Sequence, residues 1–121
     1  MRAVTDVISS GYIAEGVTVQ KFEHSFAEYL SVRHAVATNS GTSALHLALL
    51  ALEVGPGDEV IIPSYVCSAL LHAVNYTGAT PVLADICPKT CNLEAADIKK
   101  RISTRTRAII VPHLFGLPAD L

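Results

Sequence analysis

The sequence places small polar residues directly after a short apolar run, in an arrangement that could hold a phosphate group. Residues 39–45 read Asn-Ser-Gly-Thr-Ser-Ala-Leu and lead into a segment of helical spacing. Glycine lets a ligand approach the backbone closely, and the first amides of a helix have no acceptor within the helix. With the positive end of the helix dipole, Gly41, Thr42 and Ser43 could therefore cradle an anion. Simple capping of the helix by Ser40 or Thr42 is the alternative interpretation.

Two familiar phosphate-binding signatures do not occur in the sequence. It contains neither the GxxxxGK[ST] pattern of a P-loop nor the GxGxxG pattern of a dinucleotide-binding fold. A phosphate held at residues 41–43 would therefore belong to another kind of cofactor.

Other reactive side chains follow other short apolar runs. Tyr65 offers an aromatic ring, with packing as its alternative role, and Cys67 offers a thiol that lacks a neighbouring base to activate it. Asp85 fits hydrogen bonding to the next loop, and His113 fits a structural histidine. No two of the five histidines share a ligand spacing with a carboxylate, so the sequence predicts no metal site. The cysteines at 67, 87 and 91 match neither a disulfide framework nor a zinc pattern, and we expect thiols.

The elements that must position these residues alternate between strands and helices. Short β-branched apolar runs predict strands at 34–38, 59–62, 80–84 and 107–111. Helical spacing predicts a short helix within residues 1–16, a helix capped by Thr18, and helices at 44–52, 66–76, closed by Gly78, and 94–101. This rhythm predicts a three-layer α/β/α fold with a mainly parallel sheet. Right-handed crossovers would bring residues 40–43, 63–67, 85 and 112–113 to one edge of the sheet.

Composition excludes several classes of protein. Of the 121 residues, 50% are hydrophobic, which argues against disorder. Nine basic against eleven acidic residues give a net charge of −2 without a basic run, so we expect no nucleic-acid partner. No apolar run approaches the roughly 18 residues of a membrane span, and the first ten residues do not resemble a signal peptide. The sequence therefore predicts a cytoplasmic protein with no membrane partner.

A series of short motifs runs along nearly the whole chain in a specific order. They are Gly11-Tyr12-Ile13 with Gly16 and Phe22-Glu23, then SGTSAL at 40–45, GDEV at 57–60, PSY at 63–65, GATPV at 78–82, ADI at 84–86 and PHLFG at 112–116. In this order and spacing they resemble the amino-terminal part of the DegT/DnrJ/StrS aminotransferases. These are fold-type-I pyridoxal-phosphate (PLP) enzymes that act mainly on nucleotide-linked keto-sugars. The resemblance implies that the chain is part of the large domain of such a transferase.

The resemblance also implies roles for single residues. In the family, the turn at Gly41, Thr42 and Ser43 binds the cofactor phosphate through backbone amides. The position of Cys67 usually holds an aromatic residue that stacks on the pyridine ring. The thiol is a departure, and it either packs against the ring or leaves that contact unmade. The loop around Tyr12 resembles the segment that borders the substrate site, near a homodimer interface.

The same resemblance implies that the catalytic residues lie outside this chain. In the family pattern, the aspartate that pairs with the pyridine nitrogen and the lysine that anchors the cofactor both come after Leu121. The lysines at 21, 89, 99 and 100 occupy neither place and are expected on the surface. Leu121 also follows the last predicted strand by only ten residues, so we expect a longer polypeptide. Residues 1–17 would be a helix and substrate-side loop, and residues 18–121 an incomplete PLP-binding domain.

Three functions remain open on this basis. The whole protein would transfer an amino group from an amino acid, for which glutamate is the expected donor, to a nucleotide-linked keto-sugar. This chain alone would be inactive. Relatives in which histidine replaces the lysine are sugar dehydratases, and the deciding position lies beyond Leu121. A regulatory or scaffolding relative without catalysis is the third possibility.

Overall fold

The computed structural model describes residues 2–120, which divide between Thr38 and Asn39 into two compact units. The first unit contains helices α1 (Arg2–Ser9) and α2 (Val17–Tyr29). The second contains helix α3 (Gly41–Ala51), strand β1 (Glu59–Pro63), helix α4 (Ala69–Thr77), strand β2 (Thr80–Ala84), helix α5 (Ala95–Arg101), strand β3 (Thr106–Ile109) and a 3₁₀ turn (Leu114–Gly116).

Helix α2 begins earlier than the sequence predicts. Gly16 stands at its N-cap in an extended conformation, with φ −157° and ψ −162°. The amides of Val19 and Gln20 donate to the Gly16 carbonyl at 2.9 and 3.2 Å. The prediction of Thr18 as the cap is therefore wrong, because Thr18 already lies inside the first turn.

The predicted strand at 34–38 is also wrong. These residues have no regular secondary structure, and Val36 is 77% exposed. A strand needs a neighbouring strand to complete its ladder, and no strand within residues 2–120 pairs with this segment. The Ala37 amide donates instead to the Glu23 carboxylate at 2.7 Å.

The sheet of the second unit is parallel and has three strands in the order β2-β1-β3. Central strand β1 is buried along its whole length, which is why it reads as a continuous apolar run. Val60 and Ile62 face a core cluster that includes Leu49 of α3 and Val74 of α4. On the opposite face, Ile61 packs with Leu93 and with residues that include Ile98 of α5. The predicted α/β/α layering is confirmed, with three strands instead of four in the described residues.

Helices α3 and α4 begin at residues other than those predicted, whereas the predicted stop of α4 is correct. Helix α3 starts three residues earlier than predicted, and α4 starts three residues later. After β1, the Ser64 amide still donates to the Ala84 carbonyl at 2.8 Å, so the chain follows the sheet past Pro63 before it turns into α4. Gly78 ends α4 in the left-handed conformation, with φ 79°, as predicted.

A buried carboxylate anchors the beginning of β1 to the segment before β3. Glu59 is buried and accepts a hydrogen bond from the Ser103 hydroxyl at 2.5 Å and another from the Arg105 guanidinium. The Glu59 amide also donates to the Arg105 carbonyl at 2.8 Å. The Ser103 hydrogen bond, together with that of Arg105 and its positive charge, lowers the pKa of Glu59 below its ordinary value of 4.5.

The hydrogen bonds of Glu59 predict that the free energy of unfolding depends on pH in the acid range. Because the folded pKa of Glu59 is below the unfolded one, its stabilisation is present above the unfolded pKa and is lost as pH falls through the folded pKa. We expect Glu59→Gln to lower stability at neutral pH and to flatten the acid limb of the pH–stability curve by up to one proton. Urea unfolding between pH 7 and pH 3 measures this. The exposed Glu15→Gln is the control, and an acid limb equally steep in Glu59→Gln would contradict the assignment.

Candidate functional site

The carboxyl ends of β1 and β2 lie side by side at one edge of the sheet. Pro63 and Ala84 are register partners, and each is followed by a polar residue. The Ser64 hydroxyl donates to the Asp85 carboxylate at 3.5 Å. The structure thus brings together two of the loops that the sequence assigned to this edge.

Asp97 fixes the backbone at the end of β2, and sequence analysis missed it. Its Oδ2 accepts from the Asp85 amide at 2.8 Å and from Arg101 Nε at 2.8 Å. The hydrogen bond from the Asp85 backbone, and then Arg101, lower the pKa of Asp97. An aspartate in the first turn of a helix is a signal that could have indicated an anchoring role.

The predicted phosphate cradle lies at the N-terminus of α3. Ser40 is the N-cap, and its hydroxyl oxygen accepts from the Ser43 amide at 3.1 Å. The Ser43 hydroxyl donates to the Asn39 side-chain oxygen at 2.8 Å and lies 2.9 Å from the Ser40 hydroxyl. The capping interpretation of Ser40 is therefore confirmed, and the Ser43 amide already has an acceptor.

Gly41 and Thr42 are the first two residues of α3, and helix geometry gives their amides no acceptor within the helix. Apart from its two chain neighbours and the backbone of its own helix, a β-carbon placed on Gly41 would have no atom within 4 Å. Gly41 is also not among the glycines with positive φ. The side of Gly41 on which a side chain would project is therefore open, and the backbone does not require glycine at this position. Open space, free donors and a helix dipole fit an anionic group such as a phosphate.

Cys67 lies on the exposed segment between β1 and α4 and lines two cavities. One, of about 380 Å³, is bounded by the end of β1, the start of α4 and two residues of β2. The other, of about 310 Å³, lies between Tyr65, Val66 and Cys67 on one side and Leu114 and Phe115 on the other. The loop after β1, which carries Tyr65 and Cys67, and the loop after β3 therefore border the same cavity.

His113 has a structural hydrogen bond, as the sequence analysis expected. Its Nδ1 accepts from the Ala119 amide at 3.0 Å, so it helps to fold the segment that follows β3. Asn92, which sequence analysis did not single out, is buried against the same segment. Its partners are far along the chain, and no local pattern in the sequence indicates them.

Tyr12 belongs to the first unit. It is 63% exposed and borders a cavity of about 420 Å³ together with residues of the loop and of α2. Its ring lies against Gly16, where an added β-carbon would come within 2.9 Å of Tyr12 Cε1. Gly16 therefore makes room for the ring in this position.

Residues 2–120 contain neither a cluster of metal-binding side chains nor a helix suited to a membrane. No group of three or more His, Cys, Asp or Glu side chains in this part of the chain is placed to hold a metal ion. No helix there combines the length and apolar character that crossing a membrane requires.

A parallel sheet between helices, with a helix whose first amides have no acceptor within it, is the arrangement that the resemblance to fold-type-I PLP-dependent transferases predicts for their large domain. The comparisons with known proteins give the same class and narrow it. The chain belongs to the DegT/DnrJ/EryC1/StrS aminotransferase family, whose sequence model matches residues 1–121.

Three similar proteins illustrate this membership. GDP-perosamine synthase of Caulobacter vibrioides is 51% identical over 106 residues, which are 88% of this chain and 29% of that protein. The structure of S. venezuelae DesV in complex with a ketimine intermediate has a TM-score of 0.92 at 44% identity and covers 98% of this chain and 32% of DesV. NtdA of Bacillus subtilis with bound cofactor PMP has a TM-score of 0.92 at 37% identity, over 98% of this chain and 27% of NtdA. The chain thus spans about a third of the length of these relatives.

The N-cap of α3 gives a direct test of the helix start. Ser40→Ala removes the acceptor of the Ser43 amide, and we expect a loss of about 1 kcal/mol in the free energy of unfolding. Ser40→Asp, which keeps an acceptor at the cap, should retain most of the stability. Chemical denaturation of the three proteins decides the point, and equal stability of Ser40→Ala and wild type would show that the cap contributes nothing.

Proposed function

We propose that the whole protein of which these residues are part is a PLP-dependent sugar aminotransferase. It transfers an amino group from an amino acid, with glutamate as the expected donor, to a nucleotide-linked keto-sugar. The observation that supports the proposal most directly is the start of α3 at Gly41 and Thr42, whose amides have no acceptor within the helix, in a chain of this family. The family is one of aminotransferases, and no contact in the described residues favours the dehydratase or scaffold alternatives.

The residues that would hold the cofactor phosphate are Gly41 and Thr42, through their backbone amides. The Ser43 amide and hydroxyl are engaged in the cap, so Ser43 supports the turn and would reach a phosphate only by exchanging the Ser40 oxygen for it. The first turn of α3 carries no acidic side chain, so within this helix nothing opposes a dianion at its positive end. Cys67 would border the pyridine ring, as a polarizable apolar neighbour.

When bound, pyridoxal phosphate supplies the electron sink for amino transfer. The described residues contribute binding and orientation. Asp97 holds the backbone at Asp85, and the Ser64 amide holds the turn after β1 against the end of β2. The protein therefore fixes the loops after β1 and β2 before any ligand arrives, which would reduce the entropy lost when the cofactor binds.

The remaining assignments complete the proposal. Tyr12 borders the sugar-nucleotide site, residues 1–17 form the substrate-side segment, and residues 18–121 belong to the cofactor domain. The name of the Caulobacter relative, GDP-perosamine synthase, supports a nucleotide-linked sugar as substrate. A homodimer would cover exposed apolar side chains such as Leu47 and Leu50 of α3. Three free thiols, at Cys67, Cys87 and Cys91, support a cytoplasmic location.

The activity is tested on the full-length protein with PLP, glutamate and a panel of nucleotide-linked keto-sugars. We expect conversion of the cofactor absorbance on addition of glutamate, followed by its return when the correct keto-sugar is added, with an amino-sugar as product. Loss of a hydroxyl from the sugar without amine formation would assign the dehydratase reaction instead. Failure to bind PLP at all would refute the proposal.

Gly41→Ala separates cofactor binding from folding. The methyl group meets no atom beyond its chain neighbours and its own helix backbone, and alanine is favoured over glycine inside a helix by up to about 1 kcal/mol. The same methyl group would hinder a phosphate from reaching the amides, and one lost charge-assisted hydrogen bond weakens binding about ten- to hundredfold. We therefore expect equal or higher thermal stability with much weaker PLP binding, measured by equilibrium titration.

The matched control is Gly55→Ala, because Gly55 also has open space around it and no positive φ. It should leave PLP binding unchanged. Equal effects of the two substitutions on PLP affinity would show that Gly41 has no special relation to the cofactor.

A second pair of variants, at Cys67, tests the proposed contact with the pyridine ring. If its side chain borders the pyridine ring, Cys67→Phe adds an aromatic surface and should tighten PLP binding about three- to tenfold. Cys67→Ser, of similar size but more polar, should weaken it slightly. The absorbance titration is the same as for Gly41→Ala, and an unchanged affinity in both variants would place Cys67 away from the ring.

A further inference from the structure

Phe115 has an unusual backbone conformation in an exposed place. Its φ of 54° and ψ of 23° lie in the left-handed region, and it is 84% exposed. Bulky side chains rarely adopt this conformation, and it persists only where the surrounding structure enforces it. The next residue, Gly116, also has positive φ, at 81°, where glycine is at ease. The backbone conformation of Phe115 is therefore one that the intrinsic preferences of a phenylalanine do not favour.

Asn92 enforces this conformation through the segment on both sides of Phe115. It is only 3% exposed, and its Nδ2 donates to the Leu117 carbonyl at 2.9 Å and to the Pro118 carbonyl at 3.4 Å. Its Oδ1 accepts from the Leu114 amide at 2.9 Å. One buried side chain thus ties down the residues before and after the strained position.

Phe115 and its neighbour Leu114 line a cavity of about 310 Å³ that Cys67 also borders. The rest of the lining consists of Tyr65, Val66 and Cys67, and all the lining residues are uncharged. An apolar cavity with two aromatic side chains suits a flat ring and gives no counter-charge to a phosphate. Cys67 is the residue proposed to border the pyridine ring, so the cofactor ring is the occupant that this cavity favours.

We propose that Phe115 is a second ring contact for the cofactor and that Asn92 is the positioning residue that holds it there. The proposal rests on the proposed function and extends it to a side chain on the loop after β3. It supplies aromatic surface beside a thiol, at the edge of the sheet where the loops after β1 and β3 meet.

The test measures the equilibrium dissociation constant of PLP for the full-length protein. Phe115→Gly and Phe115→Ala should weaken PLP binding about three- to tenfold, whereas Phe115→Tyr, which keeps a ring, should bind as wild type. Phe115→Gly should also unfold at the same or a higher temperature, because glycine adopts the left-handed conformation without strain. A purely structural role would not combine weaker cofactor binding with unchanged or greater stability.

The role of Asn92 is tested by a double-mutant cycle. Asn92→Ala should weaken PLP binding, and Asn92→Ala with Phe115→Gly should bind no more weakly than Phe115→Gly alone, since Asn92 acts through the ring. Additive losses of affinity would refute the positioning role. Because Asn92→Ala removes buried hydrogen bonds, its folding is checked by circular dichroism, and the three Phe115 variants still decide the ring contact if it unfolds.

Tyr29→Ala is the matched control, because Tyr29 is equally exposed, at 84%, and lies in the first unit. Wild-type PLP affinity in Phe115→Gly would overturn the inference. A rise in the KM for the keto-sugar alone, or a changed oligomeric state at unchanged PLP affinity, would also overturn it and assign Phe115 to the substrate or to a partner subunit. If Gly41→Ala weakens PLP binding and Phe115→Gly does not, the proposed function stands and this inference fails.

Discussion

Burial of strand β1 on both faces is the constraint on which the second unit depends. Val60 and Ile62 face α3 and α4, while Ile61 faces the layer of α5, and all three are essentially inaccessible to solvent. A shift of one residue would turn Val60 and Ile62 away from the side chains of α3 and α4, and Ile61 away from Leu93, so the packing on each face favours one register. Pro63 and Ala84 therefore end together, and the loops that follow them begin at the same edge.

The bounds of helices and strands could be predicted from the sequence where the apolar pattern and the local residue preferences indicated the same element. Strand β2 has the predicted bounds, and Gly78 ends α4 as expected, because a left-handed residue after a helix is most easily glycine. The start of α3 was displaced by three residues, since Ser40 reaches forward to the Ser43 amide and draws the small polar residues into the helix. The segment at 34–38 has the composition of a strand, but composition cannot supply the partner strand that would make it one.

The polar side chains that anchor the loops and strands could not be predicted from the residues next to them in the sequence, and the reason is physical. Glu59 meets Ser103 and Arg105 more than forty residues away, and Asn92 meets Leu117 from a distance of 25 residues. Such contacts depend on the completed fold, and nothing in the neighbouring sequence separates a buried asparagine from one in an exposed turn. The position of Gly41 was predictable, but the open space where its side chain would project was not, because that space depends on which other side chains stay away.

These anchors explain how an edge made of irregular backbone can be rigid enough to bind a ligand. Loop residues have few of the ladder hydrogen bonds of a sheet, so side chains supply part of their order. Asp97 supplies an acceptor to the Asp85 amide, Asn92 supplies both donors and an acceptor to the segment around Phe115, and Ser40 completes the first turn of α3. Each anchor forms at least one hydrogen bond with the protein backbone. The amides of Gly41 and Thr42, which helix geometry leaves without an acceptor in α3, are then held in place for a partner from outside the helix.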